Sequence, residues 1–401
     1  ASLRTHCAHT SPIPRSDFLA RQQSLAETLH AFNASAYIAE PGASAGYFAN
    51  LAGASWHLSE RPLLLVVAPA LAPDGSVSPR VTVVTPAFEA TRAKGLPLAA
   101  AGVTWAQWAE DADPYAAAVA AAAPGGRPIF VDDMVRHFVV AGLQKAAGKD
   151  SDVVVESAPV GVRQLRERKS ARELGLLQCA NEATLLAIRA VKDKMRFGMR
   201  ESEARALVDS ALSAAGLTDH DVLVMFGENA ALPHGSGTDK ALSVNDFVLI
   251  DCGGALHGYK SDVTRTFALP GSQLSATQRK LWDVVHEAQS RALAAATVGA
   301  PAASVDAAAR EHIVAEGYGK YFTHRLGHGI GLETHEAPYL RGGSLDVLQP
   351  GHTFSDEPGI YIEGSVGVRL EDCFYVQAEA GRAGRLFTEG VGGQAADPWN
   401  P

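Results

Sequence analysis

The sequence has little cysteine, no long apolar run and no block of basic residues. Four of its 401 residues are cysteine, at Cys7, Cys179, Cys252 and Cys373, and no two of them form a C-x-x-C pair. Cysteines this sparse and scattered do not make the framework of a disulfide-rich protein. We therefore expect them to be core residues or free thiols.

The lack of a long apolar run bears on membranes and on location. No stretch approaches the roughly 20 apolar residues that a membrane-spanning helix needs, and the first residues lack the hydrophobic segment of a signal peptide. We expect no membrane span and a cytoplasmic protein. Because the chain begins at Ala1 and not at methionine, a secreted or leader-processed form stays open as the alternative.

The charge balance argues against one class of partner. Asp and Glu number 44 against 35 for Lys and Arg, which gives a net charge of -9 at pH 7. Proteins that follow a phosphate backbone need clustered Lys and Arg, so we expect no nucleic-acid partner. The length and the 47% of apolar residues are enough for a large core and two domains.

Residues 1–162 alternate helical and strand-like segments, which indicates an α/β domain. Ser16 is a candidate cap for a helix with apolar residues at helical spacing. The strand-like runs are 62–68, 81–85 and 129–131. The alanine-rich run 115–123 fits either a helix or a low-complexity linker, and Pro124 with the two glycines after it ends the run in either case.

The rest of the chain, 163–401, starts with helices and then changes to strands. Ser170 and Glu173 form a capping box before a long amphipathic helix, and a second helix is expected after Gly198. The change of pattern beyond the second helix indicates a sheet-rich region.

In that region an apolar run ends at Asp251, which predicts a strand that carries a carboxylate. We expect Gly253 and Gly254 to form the turn that returns the chain to Asp262 on a second strand. Facing Cβ atoms on neighbouring strands are about 5 Å apart. The two carboxylates could then contact two ions that lie roughly 3.5 to 4 Å from each other.

A second hairpin, 355–372, repeats this arrangement with a turn near Gly364 and carries Glu357 and Glu371 toward the same point. The imidazole of His328 comes from a glycine-rich stretch, where small residues let the backbone pass close to a site. Four carboxylates and one imidazole in one place would repel one another without cations between them. The five residues therefore predict a site for two divalent metal ions.

The same residues lie in motifs that resemble one known family. The motifs are LPHGSGTDKALSVNDFVLIDCGG, GYKSDVTRTF, HRLGHGIGLETHEAP and SDEPGIYIEGSVGVRLED. They resemble the pita-bread metallopeptidases, which include methionine aminopeptidase, aminopeptidase P and the Xaa-Pro dipeptidase, prolidase. The first part of the chain is similar to the N-terminal domain of creatinase, aminopeptidase P and prolidase, a domain that methionine aminopeptidases lack.

This resemblance implies a two-domain α/β fold. A creatinase-like N-terminal α/β domain, 1–162, would be followed by a pita-bread α+β catalytic domain, 163–401. The resemblance also implies a homodimer. Total length and the compact first domain favour the dipeptidase branch.

The resemblance further assigns the ligands. One ion would be bound by Asp262, His328, Glu357 and Glu371, and the second by Asp251, Asp262 and Glu371. Mostly oxygen ligands favour two manganese ions, with cobalt, zinc or iron as alternatives.

Catalytic roles follow from the same resemblance. Two ions that share a water lower its pKa enough to supply hydroxide near neutral pH, and Glu357 would take the proton and pass it to the leaving nitrogen. His335 would hydrogen-bond the tetrahedral oxyanion.

Other residues would surround the substrate. His234 and His324 would line the pocket for proline and its carboxylate, and Asp251 would lie near the free amino group. Arg369 would orient a metal-binding carboxylate, and Tyr361 would reach the site from its strand. For Arg369 and Tyr361 the alternative is a structural hydrogen bond between strands.

The function that the resemblance implies is hydrolysis of an Xaa-Pro bond in a small peptide with proline at its second position. Such a bond is a tertiary amide without an N–H group, so it needs a dedicated site. Dipeptides are the expected substrates. The alternatives are an aminopeptidase P that acts on longer peptides and, more remotely, a catalytically silent binding module.

Overall fold

The computed structural model describes residues 3–123, 125–148, 153–235 and 237–401. These residues form two compact units. One is Ile13–Arg166, and the other combines residues 3–12, including helix α1 (Leu3–His6), with Glu167–Pro401. The domain division 1–162 and 163–401 stays a proposal. The compact units differ from it because the first residues pack with the second unit and the boundary falls at Glu167.

The unit of residues 13–166 is a mixed six-stranded sheet with helices packed against it. Its strands are β1 (Ala36–Ala39), β2 (Leu64–Leu71), β3 (Val77–Pro86), β4 (Thr104–Trp108), β5 (Ile129–Val131) and β6 (Val155–Ser157), in the order β4-β3-β2-β1-β5-β6. Its helices are α2 (Arg15–Ala31), α3 (Ala43–Ala49), α4 (Ala90–Lys94), α5 (Pro114–Ala122), α6 (His137–Ala147) and α7 (Val160–Glu167), the last of which reaches the boundary.

Aliphatic runs form the centre of this sheet because both of its faces are covered. Ile38 and Val66 are fully buried in an apolar cluster that also includes Val139 and Leu143 of helix α6. The strands predicted at 62–68, 81–85 and 129–131 are confirmed as β2, β3 and β5.

Two local expectations for this unit have different outcomes. Ser16 is not the cap of helix α2, because the helix begins one residue earlier, after Pro14 in an extended conformation. The alanine-rich run is a helix, α5, and the carboxylate of Asp113 accepts hydrogen bonds from the first backbone N–H groups. The break predicted at Pro124 lies outside the described residues.

The second unit is built from helix pairs that are followed by antiparallel strands. Its further helices are α8 (Ala171–Lys192), α9 (Glu201–Ala214), α10 (Ala276–Ala295) and α11 (Ala302–Ala315). Its strands are β7 (Thr218–Phe226), β8 (Val248–Leu256), β9 (Tyr259–Lys260), β10 (Val263–Phe267), β11 (Gly327–Gly329), β12 (Glu336–Leu340), β13 (Thr353–Asp356), β14 (Gly359–Ile362), β15 (Val366–Arg369), β16 (Asp372–Tyr375) and β17 (Arg385–Leu386).

These strands form three sheets. The orders are β10-β8-β7 with β9 paired to β8, β12-β11-β13-β16-β17, and the pair β14-β15. The capping box predicted at Ser170 and Glu173 is confirmed at the start of α8, and the second predicted helix is α9. Helices α10 and α11 pack on the strands through a buried apolar cluster that includes Leu281, Ile313 and Phe354.

The first metal-site hairpin turns later than the sequence suggested. Strand β8 continues through Gly253 and Gly254, and the turn is at His257 and Gly258, both with positive φ. The two earlier glycines have another role: a Cβ at Gly253 would overlap the carbonyl oxygen of Ser261. The turn prediction was therefore wrong, because these glycines serve close strand contact.

The second hairpin has its turn at Gly364, as predicted, but it passes through two sheets. Its base is the β13/β16 pair, in which Asp356 faces Asp372, and its tip is the β14/β15 pair. Glu357 and Glu371 lie at the breaks between base and tip. The interrupted strands thereby place both carboxylates at the same end of the β13/β16 pair.

The expectation about cysteines is only half right. Cys252 and Cys373 are buried free thiols, whereas Cys7 and Cys179 form a disulfide across 172 positions of sequence. The bond joins the segment after α1 to helix α8. In the described part of the chain, no helix is long and apolar enough to cross a membrane.

Candidate metal centre

The two aspartates come from adjacent strands. Asp251 lies within β8, and Asp262 directly precedes β10, where Val263 pairs with Cys252. The backbone N–H of Asp262 donates to the Oδ1 of Asn181 on helix α8 at 3.2 Å. Helix α8 therefore fixes the strand end that carries this carboxylate.

The two glutamates are held by backbone hydrogen bonds at the breaks of the second hairpin. The N–H of Glu357 donates to the carbonyl oxygen of Leu326 at 2.9 Å, and that of Glu371 donates to Thr264 at 3.0 Å. The hydroxyl of Thr264 donates to the Oε2 of Glu371 at 2.7 Å, which orients the carboxylate itself.

His328 lies on β11, almost fully buried, with one ring nitrogen directed at the carboxylates. Its Nδ1 is 3.1 Å from the carbonyl oxygen of Gly329, which can only accept, so Nδ1 carries the proton. Its Nε2 is 3.3 Å from Glu357 Oε1 and 3.7 Å from Asp262 Oδ2. Two ligand atoms on one ion, each about 2.1 Å from it, lie roughly 3 to 3.5 Å apart, so these spacings suit a shared cation.

All five predicted ligands meet in overlapping groups. Asp251, Asp262 and Glu371 have ligand atoms that lie within 4.8 Å of one another, and so do His328, Glu357 and Glu371. Glu371 belongs to both groups. Two neighbouring cation positions that share this carboxylate fit the arrangement.

The electrostatics of the site also fit cations. Burial, and then repulsion from Asp251 and Glu357, raises the pKa of Asp262 well above its usual value. Burial and the charge of Asp262 raise the pKa of Glu371 in the same way. Burial alone would raise the pKa of Glu357, but the His328 ring, when it also carries a proton on Nε2, donates a hydrogen bond that lowers it. Ionisation of all four carboxylates is thus energetically costly unless positive charge lies among them, and the donor set suits divalent ions.

Arg369 connects the predicted metal ligands to neighbouring side-chain hydroxyl groups. Its guanidinium donates to Asp251 Oδ2 at 2.6 Å, to the hydroxyl of Tyr361 at 2.9 Å and to the hydroxyl of Thr264 at 3.2 Å. Arg369 is itself buried, so the charge of Asp251 balances a charge that water cannot reach.

The hydrogen bonds extend from Tyr361 to His324. The Tyr361 hydroxyl accepts from Arg369, so its own proton points to the Nε2 of His324, 2.9 Å away. The Nδ1 of His324 then donates to the carbonyl oxygen of Arg325 at 2.6 Å. Burial lowers the pKa of His324 and raises that of Tyr361 to about 12, so both side chains are neutral near pH 7.

The other two predicted histidines differ in position. The ring of His335 lies edge-on to that of His328, with centroids 4.1 Å apart, and one of its nitrogens falls in a group with Asp262 and His328. His335 is solvent-exposed. His234 is exposed in a turn, and no hydrogen bond among the described residues joins it to the carboxylates.

Sequence reasoning missed the groups that hold the ligands. Asn181 supports Asp262, Thr264 supports Glu371, and the Ser355 hydroxyl accepts from the His328 N–H at 3.1 Å. Thr264 and Ser355 are each two residues from a ligand, a spacing that places side chains on the same face of a strand. That signal was available for those two but not for Asn181, which is 81 positions from Asp262.

Comparisons with known proteins agree with this geometry. Residues 175–378 match the metallopeptidase family M24. The chain is 37% identical over 365 residues to an uncharacterized peptidase of Schizosaccharomyces pombe, a match that covers 90% of this chain and 79% of that protein. It is 39% identical over 241 residues to an Xaa-Pro dipeptidase of Pyrococcus furiosus, which covers 60% of this chain and 66%, just under two thirds, of that relative.

A solved structure extends the match to both parts of the chain. The crystal structure of the dipeptidase PepE from Mycobacterium ulcerans superposes with a TM-score of 0.83 at 30% identity, over 94% of this chain and 97% of that one. The predicted fold class, an α/β domain followed by a pita-bread catalytic domain, is confirmed. A family match over half of the sequence and a relative that aligns with nine tenths of it lead to one conclusion: the chain belongs to the metallopeptidase family M24.

Proposed function

We propose that this protein hydrolyses the peptide bond that precedes proline in small peptides, and that dipeptides are its main substrates. The observation that carries the proposal is the convergence of Asp251, Asp262, His328, Glu357 and Glu371 in two groups that share Glu371, with ligand atoms within 4.8 Å of one another in each group. The names of the Pyrococcus furiosus and Mycobacterium ulcerans proteins support the substrate class.

The five side chains would hold two divalent ions, with Asp262 and Glu371 shared between them. When bound, such ions lower the pKa of a water molecule and polarise the scissile carbonyl. We favour manganese because four of the five ligands are carboxylates, with cobalt, zinc or iron as alternatives.

Glu357 is the residue that moves the proton. Positive charge among the carboxylates would keep it ionised, so it can accept a proton from an attacking water before passing it to the leaving nitrogen. The hydroxyl of Ser355 donates to its Oε1 at 3.2 Å and keeps the carboxylate oriented.

His335 and His324 act on the substrate from two sides. Although the side chain is exposed, part of its ring is shielded from water, which lowers the pKa of His335, so its neutral imidazole can donate one hydrogen bond to a developing oxyanion. His324 and His234 would line the proline pocket. Arg369 and Tyr361 orient Asp251 and His324 through the hydrogen bonds described above.

The decisive substrate comparison is Ala-Pro against Ala-Pro-Ala, with Ala-Ala as the control for proline preference. Rapid cleavage of Ala-Pro with slow cleavage of the tripeptide supports the dipeptidase. Faster cleavage of the tripeptide would make the protein an aminopeptidase P. Less than one bound metal ion per chain, with no cleavage of either peptide after manganese is added, would favour a binding module.

Two further expectations belong to this proposal. A homodimer can be checked by the mass measured in solution. The cytoplasmic location stays a prediction, and the Cys7–Cys179 disulfide bears on it because such bonds persist mainly in oxidising compartments. Thiol counting on protein from its native source would decide between the cytoplasm and a secreted form.

A further inference from the structure

The loop that carries His335 rests on a buried ion pair. The Nζ of Lys169 is 2.5 Å from the Oε1 of Glu336, and each side chain is only 2% exposed. Lys169 is the residue before the capping box of α8, whereas Glu336 directly follows His335. The two charges thus join the start of the second unit to the loop beside the metal centre.

The carboxylate of Glu336 ties the loop together. Its Oε1 accepts from Lys169, while its Oε2 accepts from the N–H of Glu333 at 3.3 Å. The N–H of Gly331 donates to the carbonyl oxygen of Glu333 at 3.0 Å. The buried carboxylate of Glu336 therefore holds the short turn 331–336 together from its buried side, and His335 lies on the exposed side of the turn.

Lys169 is itself fixed in place. Its backbone N–H donates to the carbonyl oxygen of Gly351 at 2.8 Å, and its ammonium also donates to the carbonyl oxygen of Glu167 at 3.1 Å. A Cβ at Gly331 would contact both the Lys169 Cε and the Glu336 carboxylate, so the pair fits against a glycine with no room for a side chain. The Lys169 ammonium is therefore held in place by groups other than the loop that carries His335.

Such a pair is poorly explained by stability alone. Desolvation consumes most of the Coulombic gain of a buried ion pair, but removal of one partner leaves a buried charge uncompensated. Among the described residues, the exposed ring of His335 has an edge-on contact with His328 but no hydrogen bond that would fix it. Its position depends on its neighbour in the chain, Glu336.

We propose that Lys169 is a positioning residue for His335. Through the carboxylate of Glu336 it holds the turn 331–336 so that the imidazole of His335 faces the reacting carbonyl. This inference rests on the proposed peptidase function. Displacement of a catalytic group by about 1 Å can reduce turnover up to about a hundredfold, so the effect is measurable.

The kinetic test is a double-mutant cycle between Lys169 and His335. We expect Lys169→Met to lower kcat on Ala-Pro by about tenfold to a hundredfold with unchanged metal content. In a His335→Ala background, the same change should have no further effect, because the group it positions is absent. An equal loss of kcat in both backgrounds would overturn the proposal.

Two matched variants separate positioning from folding. Lys169→Met with Glu336→Gln leaves no unpaired charge, so it should fold, but it lacks the contact that fixes the turn and should keep a reduced kcat. If Lys169→Met alone fails to fold, this pair of changes takes its place in the cycle. Lys240→Met removes another lysine, paired with Asp246 at 3.0 Å, and should leave kcat unchanged. A loss of kcat in Lys240→Met equal to that in Lys169→Met would count against a specific role.

A readout independent of activity keeps this inference distinct from the proposed function. In zinc-loaded protein labelled at histidine ring carbons, chosen because manganese would broaden the signal, the His335 signal is identified by its loss in His335→Ala. It should shift in Lys169→Met and stay in place in Lys240→Met. An unmoved His335 signal would overturn the proposal even if the peptidase activity is confirmed. If the wild type cleaves no Xaa-Pro peptide, the proposed function fails and this measurement still decides the positioning role.

Discussion

Reduction of the Cys7–Cys179 disulfide should lower the free energy of unfolding by a large amount. The bond closes a loop of 172 residues that contains the whole of Ile13–Arg166. In the chain-entropy account, a closed loop of this length removes enough freedom from the unfolded state to stabilise the protein by about 5 kcal/mol. Both sulfurs are buried, so the bond should survive mild handling and require a strong reductant or denaturant to open.

The assay is urea unfolding followed by tryptophan fluorescence, with and without a phosphine reductant. The double variant Cys7→Ser with Cys179→Ser provides the control, because its remaining cysteines are free thiols and the reductant should then change nothing. Thiol titration of the unfolded, unreduced wild type should find two reactive groups. Four reactive thiols, or an unfolding free energy that reductant leaves unchanged, would refute the reasoning.

Three other substitutions test separate parts of the structure. Arg369→Met removes the cation that orients Asp251 and should weaken manganese binding by about tenfold to a hundredfold, as measured by calorimetry; wild-type affinity would contradict this. Burial lowers the pKa of His352 from 6.5 to about 4, so between these pH values the unfolded chain protonates this ring and the folded protein does not. The free energy of unfolding is therefore highest above pH 6.5 and falls by up to about 3 kcal/mol as the pH falls to 4. His352→Gln should flatten that dependence in urea unfolding at pH 7 and 4.5, and an unchanged slope would exclude the residue as its source. Gly327→Ala should reduce metal content and thermal stability, because its Cβ would overlap a backbone carbonyl of the adjacent strand, whereas Gly175→Ala has open space in α8 and should not destabilise the protein.

The sequence was most informative where the chemistry is local. Asp251, Glu357 and Glu371 follow or interrupt apolar runs, and the hairpin pattern places the two carboxylates of each hairpin near each other. The capping box at Ser170 and Glu173 depends on residues three positions apart, so it could be found without coordinates.

The sequence was least informative where distant segments meet. Nothing in the spacing of Cys7 and Cys179 shows that they pair, since four scattered cysteines allow several pairings. Lys169 and Glu336 are 167 positions apart, and no sequence motif indicates that they form an ion pair. Gly253 was assigned to a turn because glycine serves both turns and close strand contacts, and only the position of Ser261 distinguishes the two.

The division of the second hairpin between two sheets has a consequence for engineering. The β13/β16 ladder fixes the register just outside Glu357 and Glu371, while the solvent-exposed bend at Gly364 is at the far end of a separate two-stranded ribbon. Extra residues inserted at that bend would extend the ribbon outward and leave the carboxylates in place. The bend is therefore a suitable attachment point for a fluorescent label or an affinity tag.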